Sequence, residues 1–177
     1  MKNNLQTVSS LIQLQPLPAQ AKKELRARIG AMATVHEQLY RRDNFGEVQL
    51  GDYLSSIVEA VRQSYGSNAR IEQRVEPLMA DPETAVSLGL IVNELATNAM
   101  KYAFTDRDGE LLIALSRLDE DKAQLVIADD GVGLGDTTSA KGIGLRLVQS
   151  LVQKLHGESQ VTSAGGLCFE MTFPLRR

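Results

Sequence analysis

Three polar residues at helical spacing form the first group that is capable of chemistry. Glu94 and Asn98 are four residues apart, and Lys101 follows three residues later. Residues at these spacings project from one face of a helix. A carboxylate, a carboxamide and an amine on one stripe can polarise a nucleophile, hold a hard cation through oxygen and contact a phosphate. A solvated polar face explains the same stripe equally well, because such faces are routine on surface helices.

A carboxylate followed by two glycines forms the second group. Asp129 comes directly after the apolar residues 125–128, and Gly131 and Gly133 follow it. The carboxylate can accept a hydrogen bond from an exocyclic amine such as that of adenine, and the glycines let the backbone turn against a flat ligand. Taken by itself, the group is more simply an ordinary strand-exit turn, for which Asp-Gly is common.

The third group opens a predicted helix over residues 146–155 and comprises Lys141, Gly142, Gly144 and Leu145. Glycines at a helix start expose backbone N–H groups, where the positive end of the helix dipole favours phosphate. A single Gly-x-Gly is weak evidence, and the spacing fits neither the Walker nor the Rossmann pattern. The polar residues 135–140, between the second and third groups, are predicted to form a mobile lid over a bound nucleotide.

The elements that must position these groups follow from hydrophobic periodicity. Asp81 and Pro82 are a strong helix start, and the helix is expected to run to about Tyr102. Before it, the pattern predicts a short strand around 45–50, a helix and a strand over 69–75. After it come alternating strands, a helix and a closing hairpin. Helices collected on one side of a mixed sheet predict an α+β sandwich.

The first forty residues predict two helices separated by Pro16 and Pro18. The second helix carries a heptad seam of Leu25, Ile29, Met32, His36 and Leu39. A hairpin of this length buries too little surface alone, so we predict a homodimer with a four-helix bundle. The predicted domains are therefore a helical hairpin at 1–44 and an α/β sandwich at 45–177.

Composition excludes several classes of protein. The net charge of −3 argues against an unassisted nucleic-acid binder. No apolar run approaches the roughly 18 residues of a membrane span, and the start does not look like a signal peptide. The single cysteine, Cys168, fits a reducing cytoplasm, and two histidines with one cysteine make a structural zinc site improbable.

Together the three groups resemble the ATP-binding domain shared by histidine kinases and the gyrase, chaperone and mismatch-repair ATPases. The matching motifs are the N-box Glu94-x-x-x-Asn98-Ala-x-Lys101, the first glycine box Asp129-x-Gly131-x-Gly133 and the second glycine box Lys141-Gly142-x-Gly144. The resemblance extends over Phe45 to Pro174, and three motifs in this order are far more specific than any one of them.

The N-terminal residues indicate the branch of the family. Residues 2–6 resemble the start of the dimerisation helix in the kinase subfamily whose acceptor motif reads His-Arg-x-Lys-Asn-Asn-Leu-Gln, and residues 28–40 resemble its second helix. This favours a histidine kinase over a gyrase-like ATPase or an anti-sigma serine kinase. The acceptor histidine would precede Met1, and we favour truncation over natural absence. His36 is interpreted as a packed seam residue rather than an acceptor, and His156 as structural.

The resemblance implies a role for each site residue. Asp129 would read the adenine amine, Asn98 would hold Mg²⁺, Lys101 would pair with a phosphate, and Glu94 would orient or deprotonate the histidine. The rest of the implied ATP-binding set is Tyr102, Gly131, Gly133, Lys141, Gly142, Gly144 and Leu145. The phosphoryl group would pass to an aspartate of a response-regulator receiver domain. The alternatives are an ATP-binding dimeric docking module without autokinase activity, and an ATP-driven clamp.

Overall fold

The computed structural model describes residues 46–65, 68–104, 108–133 and 143–175, together with positions 18 and 22. The chain divides into two compact units, Met1–Asp43 and Asn44–Arg177. The predicted helical hairpin, the heptad seam and the homodimer contact lie outside the described residues, apart from those two positions. The hairpin, the dimer and the boundary between domains 1–44 and 45–177 therefore stay predictions.

The described part of the second unit has a mixed five-stranded sheet. Its strand order is β2-β4-β5-β7-β6, and a two-stranded sheet pairs β1 with β3. The elements are β1 (Val48–Gln49), α1 (Leu50–Tyr65), β2 (Arg70–Val75), β3 (Met79–Ala80), α2 (Pro82–Asn98), a π turn (Ala99–Ala103), β4 (Glu110–Arg117), β5 (Lys122–Asp129), α3 (Ile143–Lys154), β6 (Glu158–Thr162) and β7 (Cys168–Pro174). The prediction of an α+β fold with a mixed sheet is confirmed.

One connection makes the sheet mixed. β2 pairs in parallel with β4, and α2 lies in the connection between them. Parallel neighbours need a crossover of this length, whereas antiparallel strands can be joined by short turns. The other neighbours, β4 with β5, β5 with β7 and β6 with β7, are antiparallel. The crossover places the α2 helix, and therefore the N-box, beside the middle of the sheet.

The core lies between one face of the sheet and the helices. In β4, β5 and β7 every second residue is buried, and the residues between them are only partly covered. The buried strand residues are Leu111, Ile113, Leu115, Ala123, Leu125, Ile127, Phe169, Met171 and Phe173. Period-two burial is the pattern of a sheet that is packed on one face only. Helices α1 and α3 both pack against α2, which completes the layer.

Asp81 starts α2 as the sequence predicts. Its Oδ1 accepts hydrogen bonds from the backbone N–H groups of Glu83 at 2.9 Å and Thr84 at 3.0 Å, and Pro82 occupies the first turn. Burial opposes ionisation of Asp81, but the hydrogen bonds from Thr84 and Glu83 outweigh it and lower the pKa of its carboxyl. The cap therefore holds the first turn of the helix whose other end carries the N-box.

Three boundaries differ from the sequence prediction. Leu50 begins α1 instead of belonging to the preceding strand, and it is fully buried there. Helix α3 begins at Ile143, three residues before the predicted Arg146. It ends at Lys154, one residue before the predicted Leu155. The chain then leaves α3 through a left-handed residue at His156, with φ of 52°. The earlier start brings Gly144 and Leu145 inside the first turn of α3.

Candidate nucleotide-binding site

The N-box lies along the C-terminal half of α2. Glu94 is buried, at 5% exposure, and Asn98 is half-buried at the last position of the helix. The Asn98 side chain makes no capping hydrogen bond to the turn that follows. Glu94 therefore does not belong to a solvated polar face. The Asn98 carboxamide is not engaged in capping the π turn that follows it.

A π turn follows the N-box helix and changes the direction of its last residues. The N–H of Phe104 donates to the carbonyl of Ala99 at 3.3 Å, which is an i to i+5 hydrogen bond. A π turn winds more residues into each wrap than an α-helix, so Lys101 is rotated from the place that an unbroken helix would give it. Its ammonium Nζ lies 5.8 Å from the ring centroid of Tyr65, at the end of α1.

Asp129 is held at the end of β5 by backbone hydrogen bonds. Its Oδ1 accepts from the N–H of Gly131 at 2.9 Å and from the N–H of Leu167 at 3.2 Å. The Asp129 N–H donates to the carbonyl of Leu167 at 2.9 Å. Both side-chain hydrogen bonds end on one carboxylate oxygen, so the other oxygen, Oδ2, is the one that can accept from a ligand amine.

The first glycine box packs directly on the π turn. A Cβ at Gly131 would lie 2.7 Å from Ala103 Cα and 2.8 Å from the Ala103 carbonyl oxygen, closer than real Cβ atoms approach. Glycine is needed here because the two backbones meet with no room for a side chain. The contact brings the turn after β5 against the segment that carries Lys101 and Tyr102.

A third backbone segment closes on Asp129 from the β6–β7 hairpin. Gly166 has φ of 130°, and a Cβ there would overlap the Asp129 carbonyl oxygen and lie 2.8 Å from its carbonyl carbon. Gly133 also has a positive φ, of 69°, and faces the same hairpin at the Gly166 carbonyl. The positions of Asp129 and Gly133 therefore depend on this hairpin, which sequence reasoning noted only as the end of the domain.

Asp130 has a different role from its neighbour. Its Oδ1 accepts from the N–H of Glu110 at 2.8 Å, and its own N–H donates to the Glu110 carbonyl at 3.2 Å. A Cβ at Gly109, just before Glu110, would lie 2.9 Å from the same Oδ1 and would clash with the Phe104 ring. Asp130 thus ties the start of β4 to the exit of β5. The sequence shows the second carboxylate but not this partner.

Helix α3 runs antiparallel to α2. Lys154, its last residue, pairs with Glu83 in the first turn of α2, with 3.0 Å between Nζ and Oε1. Because α3 packs on α2, its N-terminal end with Gly144 lies toward the C-terminal end of α2, where Asn98 is found. Gly144 is buried and Leu145 is half-buried, while Lys141 and Gly142 lie outside the described residues, as does the predicted lid.

Two large apolar side chains are exposed beside the Ala103–Gly131 contact. Tyr102 is 62% exposed and Val132 is 75% exposed. Each is the sequence neighbour of one partner in that contact, so the two residues flank it. Exposed apolar groups that converge with a few polar groups are typical of a ligand site.

No group of three or more His, Cys, Asp or Glu residues that could hold a metal exists among the residues that the structure describes. A magnesium ion of the kind predicted needs no such cage, since Mg²⁺ commonly takes one or two protein ligands together with waters and substrate phosphates. The Asn98 carboxamide oxygen is a ligand of the right chemistry for this arrangement.

Comparison with known proteins identifies the fold that carries this geometry. Residues 83–177, more than half of the chain, match the family model described as histidine kinase-, DNA gyrase B- and HSP90-like ATPase. The chain belongs to this ATPase family. Residues 1–65 separately match a model described as histidine kinase. Both matches together give an ATP-binding core of the histidine kinase type.

Curated relatives of this ATPase-family chain are longer than it is. The blue-light-activated histidine kinase 2 of Erythrobacter litoralis is 29% identical, over 99% of this chain and 55% of its own length. The sensor histidine kinase PdtaS of Mycobacterium tuberculosis is 28% identical, over 86% of this chain and 32% of its own length. The chain thus spans about half or less of these relatives.

Solved structures share the fold of this ATPase-family chain. The blue-light activated histidine kinase EL346 of Erythrobacter litoralis has a TM-score of 0.75 at 27% identity, covering 86% of this chain and 54% of that chain. A histidine kinase domain from EL346 has a TM-score of 0.76 at 23% identity, covering 98% of this chain and 94% of that chain. Among the described helices, none is long and apolar enough to cross a membrane.

Proposed function

We propose that this chain is the ATP-binding catalytic core of a two-component sensor histidine kinase. It transfers the γ-phosphoryl group of ATP to a histidine and from there to a response-regulator aspartate. The observation that carries the proposal is the arrangement of Asp129, whose carboxylate is oriented by two backbone N–H groups at the edge where the N-box segment and the first glycine box touch.

Asp129 reads the adenine amino group in this proposal. With Oδ1 occupied by Gly131 and Leu167, the carboxylate cannot rotate without losing both hydrogen bonds, so Oδ2 is preorganised to accept. Tyr102 and Val132 supply apolar surface for the base at the same edge. Gly131 and Gly133 carry no side chain that would keep the base away. Selection of adenine comes from the Asp129 Oδ2 acceptor, which pairs with the amino group of adenine.

In this proposal the phosphates bind between the C-terminal end of α2 and the N-terminal end of α3. Asn98 holds Mg²⁺, which supplies charge neutralisation, and Lys101 pairs with a phosphate oxygen. The first-turn N–H groups of α3, including those of Gly144 and Leu145, have no partner within the helix and favour anions there. Lys141 and Gly142, just before α3, complete the second glycine box. The antiparallel packing of α2 and α3 supports both sets meeting one phosphate chain.

Glu94 acts on the incoming histidine, either orienting it or taking its proton. As the imidazole nitrogen forms a bond to the γ-phosphorus, the bond from that phosphorus to the β-phosphate oxygen breaks and ADP leaves. Where Glu94 acts as the base, the imidazole proton goes to its carboxylate. Such transfers depend mainly on positioning and charge neutralisation. The N–P bond then breaks as a receiver-domain aspartate takes the phosphoryl group.

The remaining parts of the proposal concern partners. The histidine-kinase match over residues 1–65 supports a homodimer through the N-terminal helices, with the receiver domain docked on them. Nucleic acid has no place in this scheme, and the segment makes no membrane contact. We place the reaction in the cytoplasm, where ATP is available and a single cysteine stays reduced.

The test is phosphoryl transfer from radiolabelled ATP with Mg²⁺, using a peptide with the His-Arg-x-Lys-Asn-Asn-Leu-Gln motif as acceptor. The kinase core is expected to make an acid-labile phosphohistidine, which a receiver domain then depletes. Glu94→Gln should lower the transfer rate by about 10²–10⁴-fold, the usual contribution of a general base, while ATP still binds. Glu83→Gln, an exposed carboxylate on the same helix, is the matched control.

Other outcomes identify the alternatives. Nucleotide binding without transfer, also with a longer chain that carries the upstream histidine, would favour the docking module. Release of free phosphate in place of phosphohistidine would favour a clamp. Equal transfer by Glu94→Gln and Glu83→Gln would remove Glu94 from the mechanism.

A further inference from the structure

Tyr65, a residue outside all three motifs, connects α1 to the N-box through a contact with Lys101. The Lys101 ammonium lies 5.8 Å from the Tyr65 ring centroid, within the range of a cation–π interaction. Tyr65 is the last residue of α1, and α1 packs against the π turn that carries Lys101. The contact thus joins two segments that are already packed together, which gives the ring a fixed place relative to the π turn.

The ring face is well suited to an ammonium at this position. Tyr65 is 42% exposed, so its outer side is open to solvent. One turn earlier, Arg62 is engaged by Glu59, with 2.6 Å between its Nη2 and Oε1. That hydrogen-bonded pair holds the pKa of Glu59 down to about 2. The nearby guanidinium therefore stays paired with its own carboxylate and does not displace the Lys101 ammonium from the ring.

We propose that Tyr65 is a positioning residue for nucleotide binding, whose ring holds Lys101 in the orientation that meets a phosphate. This rests on the proposed function, because Lys101 must contact the phosphate for its orientation to matter. A lysine side chain has large rotamer entropy, and ordering it before the ligand arrives lowers the cost of binding.

The ring and the phosphate do not compete for Lys101. A cation–π contact uses the charge of the ammonium against the ring face, whereas a phosphate oxygen takes one of its three N–H donors. The ammonium can therefore stay over the ring while it donates on its other side. Loss of the ring should weaken binding of phosphate-bearing nucleotides rather than strengthen it.

The test compares Tyr65→Leu with Tyr65→Phe. Leucine fills similar space without a π face, and phenylalanine keeps the face. A cation–π contact at a partly exposed site corresponds to about two- to fivefold in an equilibrium constant. We expect Tyr65→Leu to raise the Kd for Mg·ATP by about that factor, with adenosine affinity unchanged and Tyr65→Phe close to the parent. In a Lys101→Met background, Tyr65→Leu should have no further effect.

A second measurement is independent of nucleotide. In lysine-labelled protein without ATP, protons near the Lys101 ammonium should be shifted upfield by the Tyr65 ring current, and Tyr65→Leu should abolish that shift. Tighter ATP binding in Tyr65→Leu, an equal loss of adenosine and ATP affinity, or full additivity with Lys101→Met would each overturn the proposal. If the parent binds no ATP while the ring-current shift is present, it is the proposed function that fails.

Discussion

Around Asp129 the site is held by backbone, whereas around Lys101 it is held by side chains on a π turn. Two N–H groups fix the Asp129 carboxylate, and Gly131 and Gly166 bring two other chain segments into van der Waals contact there. Lys101 instead lies over the partly exposed ring of Tyr65, and the Asn98 side chain makes no capping hydrogen bond to the π turn. The proposed adenine end is thus preformed, while the proposed phosphate end can adjust to a metal and to phosphates.

This difference suits the two tasks. Selecting one base requires a rigid donor–acceptor pattern, because a mismatched polar group costs most when the site cannot relax. Phosphoryl transfer instead changes the number and charge of the groups that are bound. The following predictions test the contrast, beginning with the largest expected effect.

The strongest challenge to the preformed adenine end is Gly166→Ala. The new Cβ overlaps the Asp129 carbonyl oxygen, and φ of 130° is strained for alanine. We expect a loss of about 2–4 kcal/mol in unfolding free energy from overpacking and strain, and at least tenfold weaker ATP binding. Denaturant unfolding and calorimetric titration measure the two effects.

Gly165→Ala is the matched control for this variant. Its φ of 71° is also positive, but nothing lies within 4 Å of a Cβ there. It should lose only about 1 kcal/mol, the cost of a left-handed alanine, and should keep its ATP affinity. Equal effects of the two substitutions on ATP affinity would mean that the hairpin does not shape the adenine end.

Asp129→Asn tests the recognition of adenine while it keeps the backbone hydrogen bonds from Gly131 and Leu167. The asparagine oxygen can still accept from Gly131 and Leu167, but its NH₂ then faces the adenine amine. We expect ATP affinity to fall about 10–100-fold, the value of a hydrogen bond to a charged group, with the fold stability nearly unchanged. Intact ATP affinity would end the adenine-reading role, and a gain of GTP binding would strengthen it.

Asn98→Ala tests the phosphate end. The change removes the proposed magnesium ligand, so the thermal stabilisation by ATP should lose its dependence on Mg²⁺, with affinity for Mg·ATP about tenfold lower. Adenosine should bind as to the parent, because the adenine end is untouched. Asn93→Ala, also a half-buried asparagine on α2, is the matched control. An unchanged magnesium-dependent shift would discredit Asn98 as the ligand.

Asp81→Ala should have the smallest effect, a loss of stability that concerns the whole α2 helix rather than the nucleotide site. Removing the cap should cost about 1 kcal/mol at pH 7 without changing the ratio of ATP to adenosine affinity. The folded pKa of Asp81 is lowered, so its contribution is present above the unfolded pKa of about 4 and is lost as pH falls through the folded value. The stability difference between parent and variant should therefore shrink below about pH 4.

Asp81→Asn separates the cap from its charge. Asparagine is as good a cap as aspartate, so this variant should stay close to the parent at pH 7 and lack the acid-dependent loss from this position. Acid unfolding curves of the three proteins measure the difference. A gap between the parent and Asp81→Ala that is constant from pH 7 to pH 3 would contradict the assignment.

Much of the fold could be predicted because its signals are local. The alternation of Leu111, Ile113 and Leu115 identifies a half-buried strand, and Asp81-Pro82 identifies a helix start; the structure bears out both. The π turn at Ala99–Ala103 could not be predicted, because residues 93–104 contain no breaker and read as continuous helix. It is stabilised by packing against α1 and by the close contact of Ala103 with Gly131.

The candidate site divides in the same way. The sequence alone determined the chemical groups: a carboxylate and a carboxamide one turn apart on α2, an aspartate at a strand exit, and glycines at a helix start. Only the tertiary structure decided how they are held. It pairs β2 with β4, closes Gly166 on Asp129, ties Asp130 to Glu110 and places Tyr65 under Lys101. The physical reason is that local spacing sets which residues share a face, whereas these contacts join residues at least 20 positions apart, and only packing of the complete sheet and helices brings them together.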